Sequence, residues 1–385
     1  MRSVIIDMLV IYLAYTVISL AVLSAVMISL NWPFLRKTPK KRLPLNSQTE
    51  SVSVLIPARN EAENIAQALD CVLANQGVEL EVIVLDDDST DTTAEIIQNY
   101  ATQDNRVHYI KAPALPAGFN GKQHACAVLA TQAQYPWLLF IDADVHITAD
   151  AIVRTVIYAK QHNQQLVSGF PKQKTTTWLE KIFIPLMHFL FMGYLPLIGM
   201  KLTKMAGFGA GCGQFLFFDR QAYETTGGHQ AIIQCMHDGL ALPRLFRKQG
   251  YRTDVADITD ICECHMYDNW QDLWNGFSKN ATEGMAKPIA LPIWTLLLFG
   301  GHVLPYILLP VSLIGSLPVL SFVSGLAIFI CYVQRLTLAI RFQHALSSIL
   351  WHPVAILLLL VIQWVALFNA YQGKSASWRD RAYPH

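Results

Sequence analysis

"WLLFIDADV", residues 137–145, is an apolar run that stops at two carboxylates separated by a single alanine. Trp137 to Ile141 read as a strand covered on both faces, because such strands are continuously apolar instead of alternating. A strand of this kind excludes charge along its length and admits it only where it ends. Asp142 and Asp144 therefore mark a strand terminus.

Working outward, short β-rich runs alternate with helical ones from about residue 51: "SVSVLIP", "ENIAQALDCVLAN", "LEVIVLD", "DTTAEIIQNYAT", "RVHYIK", "GKQHACAVLATQA" and "WLLFID". That alternation predicts βαβ units on a parallel sheet and a doubly wound α/β domain. Asn60 and Asp91 are the expected N-caps of the first two helices. In such sheets ligands bind outside the carboxyl ends of the strands. Three of those ends are polar: "PARNE" (57–61), "DDDSTD" (86–91) and "DAD" (142–144). Asp86, Asp87, Asp88, Asp142 and Asp144 cannot all be ionised in one crevice without a positive partner. A divalent cation with a phosphorylated ligand supplies it.

Composition adds a membrane. The 385 residues are 53% hydrophobic and 15% charged, against about 25% charged in an ordinary soluble domain. Residues 8–30 carry no charge over 23 positions, enough for a helix to span a hydrocarbon core of about 30 Å. The run is too long for a signal-peptide apolar region and is read as an uncleaved anchor. "RKTPKKR", with Arg36, Lys37, Lys40, Lys41 and Arg42, follows it and predicts that the next residues start in the cytoplasm. No Asp, Glu, Lys or Arg occurs between Lys287 and Arg335, which suits two helices joined at "PVSLIGSLP", and Ser348 to Tyr371 makes a further apolar stretch. Four spans are expected, although Lys374, Arg379 and Arg381 then fall outside, against the charge rule. Seven scattered cysteines imply no disulfide framework in a reducing compartment. A net charge of +1 gives no footprint for nucleic acid.

"SVLIPARNEAENI", "VLDDDSTDTT", "FIDADV", "GFGAGCGQFLFFDRQAYETTGGH" and "HDGLALPRLFRKQGYR" together resemble, in order, the motifs of family 2 glycosyltransferases with the GT-A fold. With its apolar helices, the chain is similar to the membrane-bound bacterial subgroup that glycosylates carotenoids and hopanoids. The resemblance implies a domain at residues 51–285, between an N-terminal anchor (1–34) and about three C-terminal transmembrane helices (288–373).

It also implies roles. Pro57, Arg59, Glu61, Asp86 and Asp87 match positions that hold the nucleotide of a sugar donor, with UDP-glucose as the expected donor, while Asp88 stands where the family usually has Gly or Asn. Asp144, with Asp142, matches the DxD site for Mg²⁺ or Mn²⁺ against the donor diphosphate, and Asp142 is also placed near the ribose. Asp238 matches the general base, with His237 in place of the usual Glu. In the Gly-rich stretch Gly211 belongs to a backbone wall beside the donor sugar. That stretch is no dinucleotide fingerprint, because it precedes a β-like run instead of opening a helix. Lys122 opens a helix after "APALPAGFN" and is read either as a phosphate ligand or as a solvated charge. "NWQDLWNGFSKN" lacks the Arg of the family's Gln-x-x-Arg-Trp signature, which weakens a processive-polymerase reading. Trp270 and Trp274 line an acceptor entrance or simply pack. "ICECH" has no second ligand pair at zinc spacing.

Residues 178–202 are apolar enough to be mistaken for a span, but a crossing there would put Asp144 and Asp238 on opposite sides of the membrane. Pro185, Gly193 and Pro196 interrupt the stretch, so broken interfacial helices are expected, delivering a lipid acceptor. The leading expectation is an inverting, metal-dependent transferase of the cytoplasmic membrane, catalytic domain inside. A polyprenyl-phosphate glycosyltransferase or polysaccharide synthase is the enzyme alternative, and an inactive scaffold the non-enzyme one. Transport is disfavoured because the expected spans hold no ionisable group besides His302 and His352.

Overall fold

The computed structural model describes residues 2–40, 49–267, 269–279, 281–373, 376–378 and 381–383. Lys41, Arg42, Lys374 and Arg379, which belong to the basic flank and the C-terminal charges, lie outside the described residues. Contacts divide the chain into two units, one of Phe34–Lys174 and Leu197–Met266, the other of Met1–Pro33, Thr175–Pro196 and Tyr267–His385.

The first unit is the expected α/β domain. Its strands are β1 (Glu50–Ala58), β2 (Val78–Asp86), β3 (Val107–Lys111), β4 (Trp137–Ile141), β5 (Val145–Ile147), β6 (Leu166–Phe170), β7 (Lys172–Gln173), β8 (Phe215–Asp219), β9 (Thr253–Asp257) and β10 (Cys262–Cys264). Seven of them form one sheet in the order β3-β2-β1-β4-β8-β6-β9, and β5, β10 and β7 form a small second one. The expected parallel sheet is corrected at one strand, since β8 runs antiparallel to both β4 and β6. Its start therefore lies beside the end of β4, with Phe215 opposite Ile141. That reversal carries the Gly-rich stretch before β8 to the carboxyl end of β4.

The central strands are buried on both faces because successive side chains alternate sides. Val54, Ile56, Leu139, Ile141, Phe215 and Phe217 enter one core cluster. Leu55, Leu138, Phe140, Leu216 and Phe218 enter the other. Trp137 stacks on Phe217, with ring centroids 5.0 Å apart.

The two expected helix caps are corrected as well. The helices begin at Ile65 and Thr93, beyond Asn60 and Asp91. Asn60 takes a left-handed conformation, φ 51°, and its Oδ1 accepts from Thr90 N at 2.8 Å. Asp91 accepts from Thr93 N at 3.0 Å and from Ala62 N at 3.2 Å. Both residues tie the loops after β1 and β2 to each other. Asp88 is also left-handed, φ 59°, a conformation that Gly and Asn reach most easily. That accounts for an Asp where the family has Gly or Asn.

In the second unit, Met8–Asn31, Pro318–Phe342 and His352–Tyr371 are long and apolar enough to cross a membrane, and Ala290–His302 with Leu304–Ile314 form a pair bent by 48°. Counting that pair as one span gives four, as expected. The bend falls just before Pro305, whose ring cannot continue the preceding helix. Residues 178–194 are broken helices: Trp178–Phe183, opened by a capping box between Thr177 and Glu180, and Leu186–Tyr194 after Pro185. The spans are not free of strong charge. Arg335 lies fully buried inside Pro318–Phe342, which corrects the argument against transport.

Replacing Phe217, fully buried and stacked, by Ala should remove about 3–5 kcal/mol of stability. Gln98→Ala on an exposed helix face should change it by less than about 0.5 kcal/mol. Denaturant unfolding of the detergent-solubilised chain, followed by tryptophan fluorescence, compares the two.

Candidate active site

The carboxyl ends of β1, β2 and β4 each present polar side chains, and the structure fixes them by different means. Arg59, just past β1, donates from one guanidinium nitrogen to the carbonyls of Asp87 at 2.5 Å and Asp88 at 3.1 Å. It ties the first two strand ends together. Asp86 is buried and its Oδ1 accepts from Ser89 N at 3.1 Å, so this carboxylate shapes its own turn. Asp87 is buried beside it, and its N–H donates to Ala58 O at 2.8 Å. Glu61 accepts from Asn64 Nδ2 at 3.0 Å, and its own N–H donates to Thr93 Oγ1 at 2.8 Å. Pro57 sits one residue before the end of β1, opposite Leu85.

Lys122 lies in the first turn of the helix Gly121–Gln132, whose start is fixed by Asn120 accepting from Gln123 N at 3.2 Å. Its Nζ is 2.7 Å from Asp142 Oδ1 and 3.2 Å from Asp238 Oδ2. It also donates to Gly213 O at 3.4 Å. The ammonium thus joins the strand-end carboxylate to the carboxylate expected as general base, from residues 96 positions apart in the chain (142 and 238). The side chain is 19% exposed, so it is no solvated surface charge.

Asp238 is the first residue of the helix Asp238–Lys248, and its Oδ1 accepts from Gly239 N at 2.7 Å. Burial alone would raise its pKa, but the Lys122 charge and the Gly239 amide outweigh that and hold it down at about 2. Below it lies His229, fully buried, its Nδ1 2.7 Å from Tyr223 OH. Burial pushes this imidazole down to about 3, so it is neutral and Lys122 is the cation that keeps Asp238 ionised. Burial also opposes charge on Lys122, yet Asp142 and Asp238 together raise it well above its ordinary value.

Asp144 differs from its neighbour. Its Oδ1 is buried without a hydrogen-bond partner, and burial, then the charges of Asp142 and Glu61, hold the carboxyl well above the usual carboxylate range. Cys264 of β10 reaches the same carboxyl and is held by Gln214 Nε2 at 2.8 Å. Gln214 in turn accepts from Gln173 Nε2 at 3.1 Å. Among the described residues no three His, Cys, Asp or Glu side chains are grouped to hold a metal alone. Two carboxylates, one with an unpartnered oxygen, nevertheless fit Mg²⁺ or Mn²⁺, which complete their shells with water and the phosphates of a ligand.

Close packing explains the glycines around Asp238. A Cβ on Gly213 would stand 2.0 Å from Asp238 Oδ1, and one on Gly211 would stand 2.8 Å from Ser168 Oγ. Ser168 of β6 donates to Cys212 O and Phe215 O at 3.1 and 3.0 Å, pinning the loop. Sequence reasoning did not single out Ser168, His229 or Gln214, and it weighed Cys264 only as a zinc ligand. Their types are common and their spacing to the motifs is arbitrary, so only the DxD-to-β10 and loop-to-β6 pairings reveal them.

Gly213→Ala should push Asp238 off Lys122 while leaving the sheet intact. Donor turnover should fall by at least about tenfold, since a misplacement near 1 Å can cost about 10²-fold, with an unchanged far-UV circular dichroism spectrum. Kinetics beside that spectrum check it.

Residues 53–227 match the family described as "Glycosyl transferase family 2". A 4,4'-diaponeurosporenoate glycosyltransferase of Staphylococcus aureus (strain bovine RF122 / ET3-1) is 28% identical over 274 residues, covering 69% of this chain and 71% of that one. The corresponding protein of strain NCTC 8325 / PS 47 aligns with the same identity and coverage. The solved mannosyltransferase PcManGT of Pyrobaculum calidifontis, in complex with GDP-Man and Mn²⁺, shares the fold with a TM-score of 0.55 at 17% identity, over 92% of this chain and 99% of that one. Residues 53–227 are thus similar to family 2 glycosyltransferases, the α/β unit shares the GT-A fold, and the chain resembles the carotenoid-associated transferases.

Proposed function

We propose that the chain transfers a sugar, with inversion, from a nucleotide diphosphate donor to a membrane lipid, a carotenoid or carotenoid acid being the leading acceptor. The observation that carries this reading is that one ammonium, Lys122 Nζ, lies within 3.2 Å of both Asp142 and Asp238. A strand-end carboxylate and a helix-start carboxylate face one point, where a reacting sugar could have diphosphate on one side and acceptor on the other. The S. aureus relatives, named for a carotenoid acid, support the acceptor class, and the apolar helices support a membrane setting.

In this reading Pro57, Arg59, Glu61, Asp86 and Asp87 shape the nucleotide site, with a carboxylate of the Asp86–Asp87 pair offered to the base. Asp144 and Asp142 would hold Mg²⁺ or Mn²⁺, which when bound neutralises charge growing on the leaving diphosphate. Asp238 accepts the proton of an acceptor hydroxyl as its oxygen bonds to the anomeric carbon and the bond to the diphosphate breaks. The Gly-rich loop excludes side chains from that space. We assign the chain to the cytoplasmic membrane, catalytic unit inside, with residues 178–194 interfacial, and UDP-glucose as the donor.

Membranes containing the protein, incubated with labelled UDP-glucose and carotenoid-bearing lipid extracts, should yield a labelled lipid. Asp238→Asn should lower the rate by about 10²–10⁴-fold, and Asp144→Ala should abolish dependence on added Mn²⁺ along with activity. Full activity in both variants would sink the proposal. UDP-sugar hydrolysis without any labelled lipid would sink the acceptor class alone.

A further inference from the structure

Lys122 occupies an unusual place for a cation in a site that is to receive another. Its ammonium lies 2.7 Å from Asp142 Oδ1 and 3.2 Å from Asp238 Oδ2, and it donates to Gly213 O at 3.4 Å. The same Asp142 is one of two carboxylates offered to a divalent ion, and its partner Asp144 keeps a buried oxygen without a partner. An ion bridging Asp142 and Asp144 would therefore sit across one carboxylate from a fixed positive charge. In a setting screened from water that repulsion is strong.

A nucleoside diphosphate reverses the sign of the problem. Its phosphate oxygens can ligate the metal and accept from the ammonium, so both cations gain anionic partners at once.

We propose that Lys122 is a positioning residue that opposes metal binding in the empty site and makes metal and nucleoside diphosphate bind as a coupled pair. This rests on the metal-dependent reading above. The proposal explains why the helix Gly121–Gln132 is capped so firmly at Asn120, which aims the lysine inward. It also gives the site an order of loading, in which Asp142 is released to the metal only when diphosphate is present to take the ammonium. Coupling of this kind is reciprocal, so diphosphate must tighten metal binding by the factor by which metal tightens diphosphate binding.

The test uses the full-length chain in detergent, Mn²⁺ followed by electron paramagnetic resonance, and UDP as the diphosphate. Lys122→Met keeps the length of the side chain and removes its charge; Lys122→Arg keeps the charge. Without UDP, Lys122→Met should bind Mn²⁺ at least tenfold more tightly than wild type, and Lys122→Arg should stay near wild type. Added UDP should tighten Mn²⁺ binding strongly in wild type and much less in Lys122→Met. Equal or weaker Mn²⁺ binding by Lys122→Met, with wild type binding normally, would overturn this role for Lys122 and leave the proposed function standing. Failure of the wild-type chain to bind Mn²⁺ even with UDP would overturn the metal-dependent reading and this inference with it. Should Lys122→Met not fold, the wild-type chain alone decides: Mn²⁺ affinity that UDP leaves unchanged overturns the coupling.

Discussion

Carboxylates converging on one crevice repel one another, and the active-site half of this molecule is arranged around that constraint. Asp142, Asp144 and Asp238 are brought together by a strand end and a helix start, and the protein supplies one internal cation, Lys122, within 3.2 Å of two of them. The third, Asp144, is held well above the usual carboxylate range by burial and by Asp142 and Glu61, which outweigh the Cys264 bond and the more distant Lys122 charge. The unequal treatment has a physical meaning. Carboxylates with different environments take different roles at one pH, and here Asp238 is held low beside Lys122 while Asp144 is held high by burial.

The fold makes that convergence possible through one reversal of direction. If β8 ran parallel to β4, the Gly-rich stretch before it would lie at the opposite edge of the sheet from Asp142. Running antiparallel, it places Phe215 against Ile141 and Gly213 against Asp238. Ser168 pins the loop between β6 and β8 by bonding Cys212 O and Phe215 O. Small residues in the loop are what that close approach demands.

Much of this was legible in residue order. An apolar run ending in Asp-x-Asp, strand ends rich in Asp and Arg, and an Asp ahead of an amphipathic helix located the sheet, its polar edge and the carboxylates that meet there, because strand burial and crevice position are local consequences of pattern. What escaped depended on pairing. Antiparallel β8 is invisible to an alternation that reads the same in either direction. Asn60 and Asp91 look like caps, yet they bond across to each other's loops, and nothing in their neighbours reports that. Lys122 could be read as surface or ligand until Asp142 and Asp238 were seen on either side of it. Cys264 reaches the site because β10 pairs with β5, directly after the DxD turn, and Gln214 because β8 starts beside the end of β4.

Arg335 shows the same limit in the helical unit. Judged by sequence it closes an uncharged block; in the structure it lies fully buried within a membrane-length helix. One guanidinium nitrogen donates to Pro185 O at 3.2 Å and another to Ser348 Oγ at 3.3 Å. Pro185 stands at the break between two short helices, and its carbonyl already accepts from Phe189 N at 3.2 Å, so the guanidinium takes the second lone pair of that oxygen. The buried arginine gains that carbonyl and the Ser348 hydroxyl as acceptors, which partly satisfy its charge away from water. Intramembrane cations usually mark ion or substrate pathways, but this one is bonded to backbone and hydroxyl oxygens that fix the bend. The broken helices of residues 178–194 and the arginine thus meet at one carbonyl, and the bond to it ties the break to the helix Pro318–Phe342.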